Sequence, residues 1–231
     1  MTEAVTVLRI LVRGGLATLW PWVILAISFG ANLAFYAAAG DNPAVVRQSA
    51  GVLALFLTAI AANQQSWSHV LPFTLGLSGT RRGFLSGMAL FVLAQAALTG
   101  VLLTALTVVE TLTNGWGMDV RYFRTPVIED LSLAGRFVVF TAVMLAVSGL
   151  GAILGAVLVR WGSAGMWWLV AACGLLLGVV VVSMTTAGGW GQVIGDLAAR
   201  PWVQLWVLAP LLTAGAAGLL AWLIVRRVAL R

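Results

Sequence analysis

The chain has no lysine, a single cysteine and a single histidine. Only 9% of its 231 residues are charged, against about a quarter in an ordinary soluble domain. Each shortage excludes something. Cys173 stands alone inside an apolar run, so no intrachain disulfide and no cysteine-built metal site can form. With His69 as the only imidazole, a His-Glu-x-x-His zinc helix is ruled out. Without lysine there is no Walker A loop, and the chain has no ATP site of that kind. The long apolar runs contain no acid or base, which argues against a charge-relay pump or a charged ion pore.

What fills the chain instead is apolar. The hydrophobic share is 61% and the mean hydropathy is +1.04. Repeated uncharged runs approach the ~20 residues that a helix needs to cross ~30 Å of hydrocarbon. The expected fold class is an all-α membrane protein, one transmembrane domain over 1–231, with six spans near 21–39, 49–65, 85–109, 137–158, 166–184 and 203–225. No cleavable leader is expected, because no small-residue cleavage site follows the first apolar run before Asp41. A pI of 11.3 suggests nucleic acid, but the arginines are scattered at the ends of apolar runs and form no patch.

Residues 1–18 precede the first span. Thr2, Thr6, Arg9 and Arg13 share one helical face, with Val5, Leu8, Leu11, Val12 and Leu16 away from it. That pattern predicts an amphipathic helix lying in the interface. Trp20 and Trp22 anchor span 1, whose first turn accommodates Pro21. Asn32, Thr58 and Gln95 are polar positions within spans, candidates for a pathway or for helix–helix hydrogen bonds. Asn63, Gln64 and Gln65 close span 2 and are expected in the headgroup zone. Ser148, Gly151, Ala152 and Gly155 put small residues three and four apart on span 4, a tight packing face within the chain or across a dimer. Pro210 is expected to kink span 6.

Two stretches between spans stand out. In residues 67–83, Pro72 disfavours a continuous helix, glycines punctuate, and Arg81 and Arg82 end the segment, so a short helix and turn at a membrane face is predicted. Residues 110–135 are the longest polar stretch. The Asn114-Gly115 turn signal, Trp116, Tyr122-Phe123 and Pro126 predict a folded cap rather than a disordered loop. Six spans place both termini on one side. Eight arginines (9, 13, 81, 82, 160, 226, 227 and 231) then lie on that side and five on the other, where six of the seven acids also fall. Arginine-rich short loops stay cytoplasmic, which predicts both termini inside.

Gly76-Leu77-Ser78-Gly79 fits the Gly-x-Ser-Gly pattern of rhomboid proteases. Such an enzyme needs a histidine on another helix, and His69 lies in the same segment. An intramembrane serine protease using Ser78 is therefore an alternative reading, as is a structural or sensory membrane protein without transport.

The run 71–84 with Gly87, the stretch 110–117, and Gly151 to Gly155 followed by Arg160-Trp161-Gly162 together resemble small six-span permease subunits of the type-2 bacterial ABC-transporter family. The lysine-free, arginine-, alanine- and glycine-rich composition resembles the actinobacterial members. The resemblance implies a transport subunit, an exporter, without its own ATPase site. It would dimerise with a second copy or a related permease in the bacterial cytoplasmic membrane. Two separate ATPase subunits would bind ATP and magnesium; this chain would hold no cofactor, metal or nucleic acid. The segment 67–83 would be the coupling helix, with Pro72 setting the bend. Phe73, Leu75 and Leu77 would make apolar contact, and Arg81 and Arg82 would anchor it or pair with ATPase acids. Glu110 and Trp116 would belong to an extracellular cap or gate.

Overall fold

The computed structural model describes residues 6–9, 11, 16–40, 47–49, 51–76, 80–186 and 201–226. Among them the chain is helical. The one β-type pairing is an isolated parallel bridge between Gln48 and Arg121. Helix α1 is Leu16–Ala39 and α2 is Val52–Gln65. A π-helical turn, Ser66–Val70, carries α2 directly into α3, Leu71–Gly76. Then follow α4, Arg81–Leu112; the short α5, Pro126–Glu129; and α6, Leu133–Thr186. A second π turn, Gln204–Leu208, opens into α7, Ala209–Val225.

Four stretches are long and apolar enough to cross a membrane: Leu19–Ala39, Arg81–Leu112, Leu133–Leu176 and Gln204–Val225. The third has 44 residues. At 1.5 Å per residue it would measure about 66 Å, twice a bilayer's hydrocarbon depth. Gly162 interrupts it with φ 63° and ψ −156°, a conformation open essentially to glycine alone. Spans 4 and 5 of the sequence reading are thus the two arms of one helix broken at a single residue.

The prolines depart from expectation. Pro21 is not in a first turn, because α1 begins five residues earlier at Leu16. Neither Pro72 nor Pro210 stops its helix. Each stands two residues beyond a π turn, at Ser66–Val70 and Gln204–Leu208. A proline in a helix removes one N–H and pushes its ring against the carbonyl four residues back. The wider π turn, which carries one residue more, gives that carbonyl room. The predicted break at Pro72 is therefore replaced by an unbroken helical run from Val52 to Gly76.

Helix α6 is the centre of the bundle, packing on α2, α4 and α7, while α1 packs on α2. Its small residues permit this. A Cβ on Gly151 would fall 2.7 Å from Asn63 Cβ and from the Ile60 carbonyl oxygen, and one on Gly155 would overlap Trp67 Cβ. Gly151 and Gly155 of the small-residue face are thus occupied within the chain. Asn63, expected near headgroups, is buried in this contact instead, with its amide nitrogen donating to the Ala59 carbonyl at 2.9 Å. Gln64 is half-buried and Gln65 exposed.

Two apolar cores result. One joins Leu25 and Tyr36 of α1, Leu55 and Ala59 of α2, Leu103 of α4, the 120–128 segment, and residues 139–147 of α6. The other joins Val7 and Leu11 to Trp67, Leu71, Phe84, Met88, Ala156, Ala221 and Val225.

Candidate functional site

Each core leads to one of the two ends of the bundle where polar groups collect. At the first end, α4 finishes in a left-handed turn. Asn114, Gly115, Trp116 and Gly117 have φ of 48°, 63°, 62° and 74°. Left-handed backbone costs roughly 1–2 kcal/mol for a residue with a side chain, so Asn114 and Trp116 are held there by their surroundings. A Cβ on Gly115 would meet the Val120 nitrogen at 2.5 Å, so only glycine fits. The Trp116 ring sits 4.8 Å from Phe29 and 6.2 Å from Phe123, edge-on to both. Phe29 also meets Tyr122 at 5.1 Å, and the Tyr122 hydroxyl donates to Ser28 Oγ at 3.0 Å.

Glu110 fastens this cluster. Its carboxylate is buried and accepts three successive backbone N–H groups. Tyr122 and Phe123 donate to Oε2 at 3.2 and 2.7 Å, and Arg124 donates to Oε1 at 3.2 Å. Three donors converging on one ionised acceptor are what a buried carboxylate requires. Around them, Arg121 and Arg124 pair with Glu129 at 3.0 and 2.7 Å. Arg136 reaches the Glu129 carbonyl and Thr107 Oγ1. Arg47 donates to the carbonyls of Met118 and Gly40. Burial pushes the Tyr122 phenol above its ordinary value near 10, partly opposed by the bond to Ser28. The two residues singled out here, Glu110 and Trp116, are thus brought into one folded cap. Tyr122 belongs to the aromatic pair that predicts the folded segment; Phe29, equally central, carried no signal beyond being aromatic.

At the other end, Val7 and Leu11 are buried against Trp67, Leu71 and Phe84, while Arg9 on the same short stretch is exposed. Among the described residues of the N-terminal segment, Val7 and Leu11 are buried and Thr6 and Arg9 are exposed. Val5, Val12 and Arg13 lie outside the described residues. Of the expected coupling residues, Pro72 is half-buried, Leu75 packs on the second core, and Phe73 is 55% exposed. Leu77 and Ser78 lie outside the described residues; His69 is exposed. Thr80 caps α4, its hydroxyl accepting from the Gly83 N–H at 3.0 Å. Arg81 donates to the Arg226 carbonyl at 2.8 Å, and Arg160 to the Ile224 carbonyl at 3.4 Å. Arg82 is exposed. The described arginines therefore sort into two groups, one at each end, and the described acids all fall in the first.

The mid-span polar residues are not joined to one another. Asn32 donates to the Ser28 carbonyl at 2.8 Å and Thr58 to the Ala54 carbonyl at 2.6 Å, each within its own helix. Gln95 is half-buried, and its Oε1 has no hydrogen-bond partner. Among the described residues no group of histidine, cysteine and acids could hold a metal ion. Comparison of the chain with protein families, characterised proteins and solved structures yields no match.

Proposed function

We propose that this chain is the permease subunit of an ATP-binding-cassette exporter, crossing the bacterial cytoplasmic membrane six times with both termini inside. It works as a dimer, with a second copy or a related permease, on two separate ATPase subunits. Four crossings correspond to the long apolar helices. Helix α2, Val52–Gln65, and the arm of α6 beyond Gly162 supply the other two. The chain performs no covalent chemistry; it changes shape when its partners bind and hydrolyse ATP.

The observation that carries this reading is the second apolar core. It ties the N-terminal Val7 and Leu11, the Trp67–Leu71 stretch, Phe84 and Val225 into one packed unit. On that unit α3 leaves Phe73 bare, and Arg82 at the start of α4 is exposed as well. An exposed aromatic on a short, rigidly seated helix gives a soluble partner a grip, and aromatic and arginine side chains are enriched where such contacts are strongest. A push on α3 passes straight into α2 through continuous helix and into α6 through Trp67 and Gly155. At the far end, the cap fastened by Glu110 and carrying Trp116 covers the exit. Asn32, Thr58 and Gln95 are the polar positions offered to the pathway.

The test is capture of the tagged chain from its host membranes with identification of what accompanies it. An ATPase should be recovered with the wild-type chain and lost with Phe73→Ala and with Arg81→Ala/Arg82→Ala. A monodisperse chain that comes down alone in several mild detergents would end the coupling assignment.

A further inference from the structure

We propose that the cavity between Arg160, at the end of the first arm of α6, and the last turns of α7 binds the headgroup phosphate of an anionic membrane lipid, held between Arg160 and Arg226. This inference does not depend on the transport reading. The cavity has about 280 Å³ and is lined by Leu220, Leu223, Ile224 and the two arginines. That is just under the ~300–1,000 Å³ of sites that enclose a whole drug-sized ligand, so it suits a headgroup and not an entire lipid.

The position of the cavity says where its ligand comes from. Helix α7 belongs to a membrane-length stretch that ends at Val225, so Arg226 stands where hydrocarbon gives way to water. Arg160 comes two residues before the break at Gly162. Trp161 follows it, and Trp222 lies one turn before Arg226; both are exposed. Tryptophan collects at the membrane–water interface. Leu220 is also exposed, six residues before Arg226 and therefore about 9 Å deeper along the helix. The cavity thus carries cations at its outer end and aliphatic side chains toward the hydrocarbon.

The chemistry of the arginines selects the ligand. The Arg160 guanidinium lies 4.5 Å from the Trp161 ring centre, and that of Arg226 lies 5.1 Å from Trp222. Both distances are within the ~6 Å of a cation–π contact, so each cation is seated on an aromatic face. The described acids, Glu110, Asp119, Glu129 and Asp130, all belong to the opposite end of the bundle. A guanidinium has five N–H donors. Arg160 directs one of them at the Ile224 carbonyl at 3.4 Å, which helps to cap α7. A cap needs one donor and no cavity, whereas here two guanidinium groups flank one. Their planar forks match the paired oxygens of a phosphate. A free phosphate would gain nothing from the leucine walls, and an acidic side chain of a soluble partner would have to enter hydrocarbon to reach Leu220. A lipid phosphate meets both ends of the cavity.

The test is native mass spectrometry of the purified full chain in mild detergent. The probes are phosphatidylglycerol, phosphatidylcholine with the same acyl chains, and inorganic phosphate. Phosphatidylglycerol should be retained over phosphatidylcholine, whose extra cation the two arginines repel. Arg160→Gln and Arg226→Gln should each lower phosphatidylglycerol retention about fivefold. Arg226→Gln is the cleaner variant, since the bond from Arg81 goes to the Arg226 backbone carbonyl and survives it. Leu220→Trp, at an exposed position, should lower retention by filling the cavity with both charges in place. Arg9→Gln, an exposed arginine outside the cavity, should leave retention unchanged. Equal retention of the two lipids would overturn the proposal, as would an Arg9→Gln loss as large as that of Arg226→Gln. Displacement of the lipid by excess inorganic phosphate would make the site one for a free anion. Unchanged lipid retention in Arg226→Gln, with a soluble protein lost from capture of that variant, would give the cavity to a protein partner instead.

Discussion

Replacing Glu110 by glutamine keeps the shape of the side chain and removes its charge. The carboxylate is 1% exposed and faces three N–H donors, with water excluded. The least damaging placement of the amide sets its NH₂ against the single donor on Oε1, from Arg124. That bond is lost and becomes a donor–donor contact. The two bonds to Oε2 survive as neutral ones. A hydrogen bond to a charged group contributes about 1.5–3 kcal/mol and a neutral one about 0.5–1.5, so the change costs roughly 3–5 kcal/mol in total. This cost falls on the cap, because Glu110 touches the segment and not the second core. Hydrogen exchange of peptides covering residues 120–126, in detergent, reads it directly. At 1.4 kcal/mol per tenfold, exchange should quicken by at least about a hundredfold, while peptides around Phe84–Phe91 stay protected. Exchange within about threefold of wild type would refute the argument that the carboxylate holds the cap shut.

Gly155→Ala should lower the unfolding temperature by the equivalent of about 1–3 kcal/mol, because the new methyl would overlap Trp67 and the Gln64 carbonyl; an unchanged melting curve would mean that α2 and α6 are not in this contact. Tyr122 should ionise above pH 10, since burial raises its pKa. The neutral phenol's contribution to stability is then whole below pH 10 and is lost as pH rises through the folded-state value, seen as tyrosinate absorbance with Tyr36→Phe removing the other tyrosine. Gly162→Ala should penalise the break in α6 and favour a straight helix. Protease accessibility of a C-terminal tag should then change from one side of the membrane to a mixture, and a variant still on one side would show that the break does not need glycine.

Much of this architecture is legible from residue types alone. Apolar runs without charge mark the membrane-length helices. Asn114-Gly115 marks a left-handed turn because those residues adopt positive φ most easily. Spacings of three and four mark the face of α6 that packs tightly. Spacing gives a face, though, and not its partner, so only the assembled helices show that Gly151 and Gly155 meet Asn63 and Trp67. Asn63 reads as a headgroup residue because its neighbours Gln64 and Gln65 are polar, yet one turn of helix sends the three in different directions. Glu110 looks like any acid at the end of a span. Its role depends on three amides 12 to 14 residues away, a relation that no local pattern contains.

The π turns before Pro72 and Pro210 have one more consequence. An α-helix that carries one residue too many rotates everything beyond it by about 100°. A helical wheel carried across either π turn therefore misassigns the far side. The same surplus makes these two places unusual targets for shortening. Deleting one residue from a helix ordinarily scrambles every contact downstream. Within Ser66–Val70 or Gln204–Leu208, with the proline changed to alanine, the deletion would restore a plain α-helix of different phase. These are the two points at which the helix faces beyond can be re-indexed by a single codon.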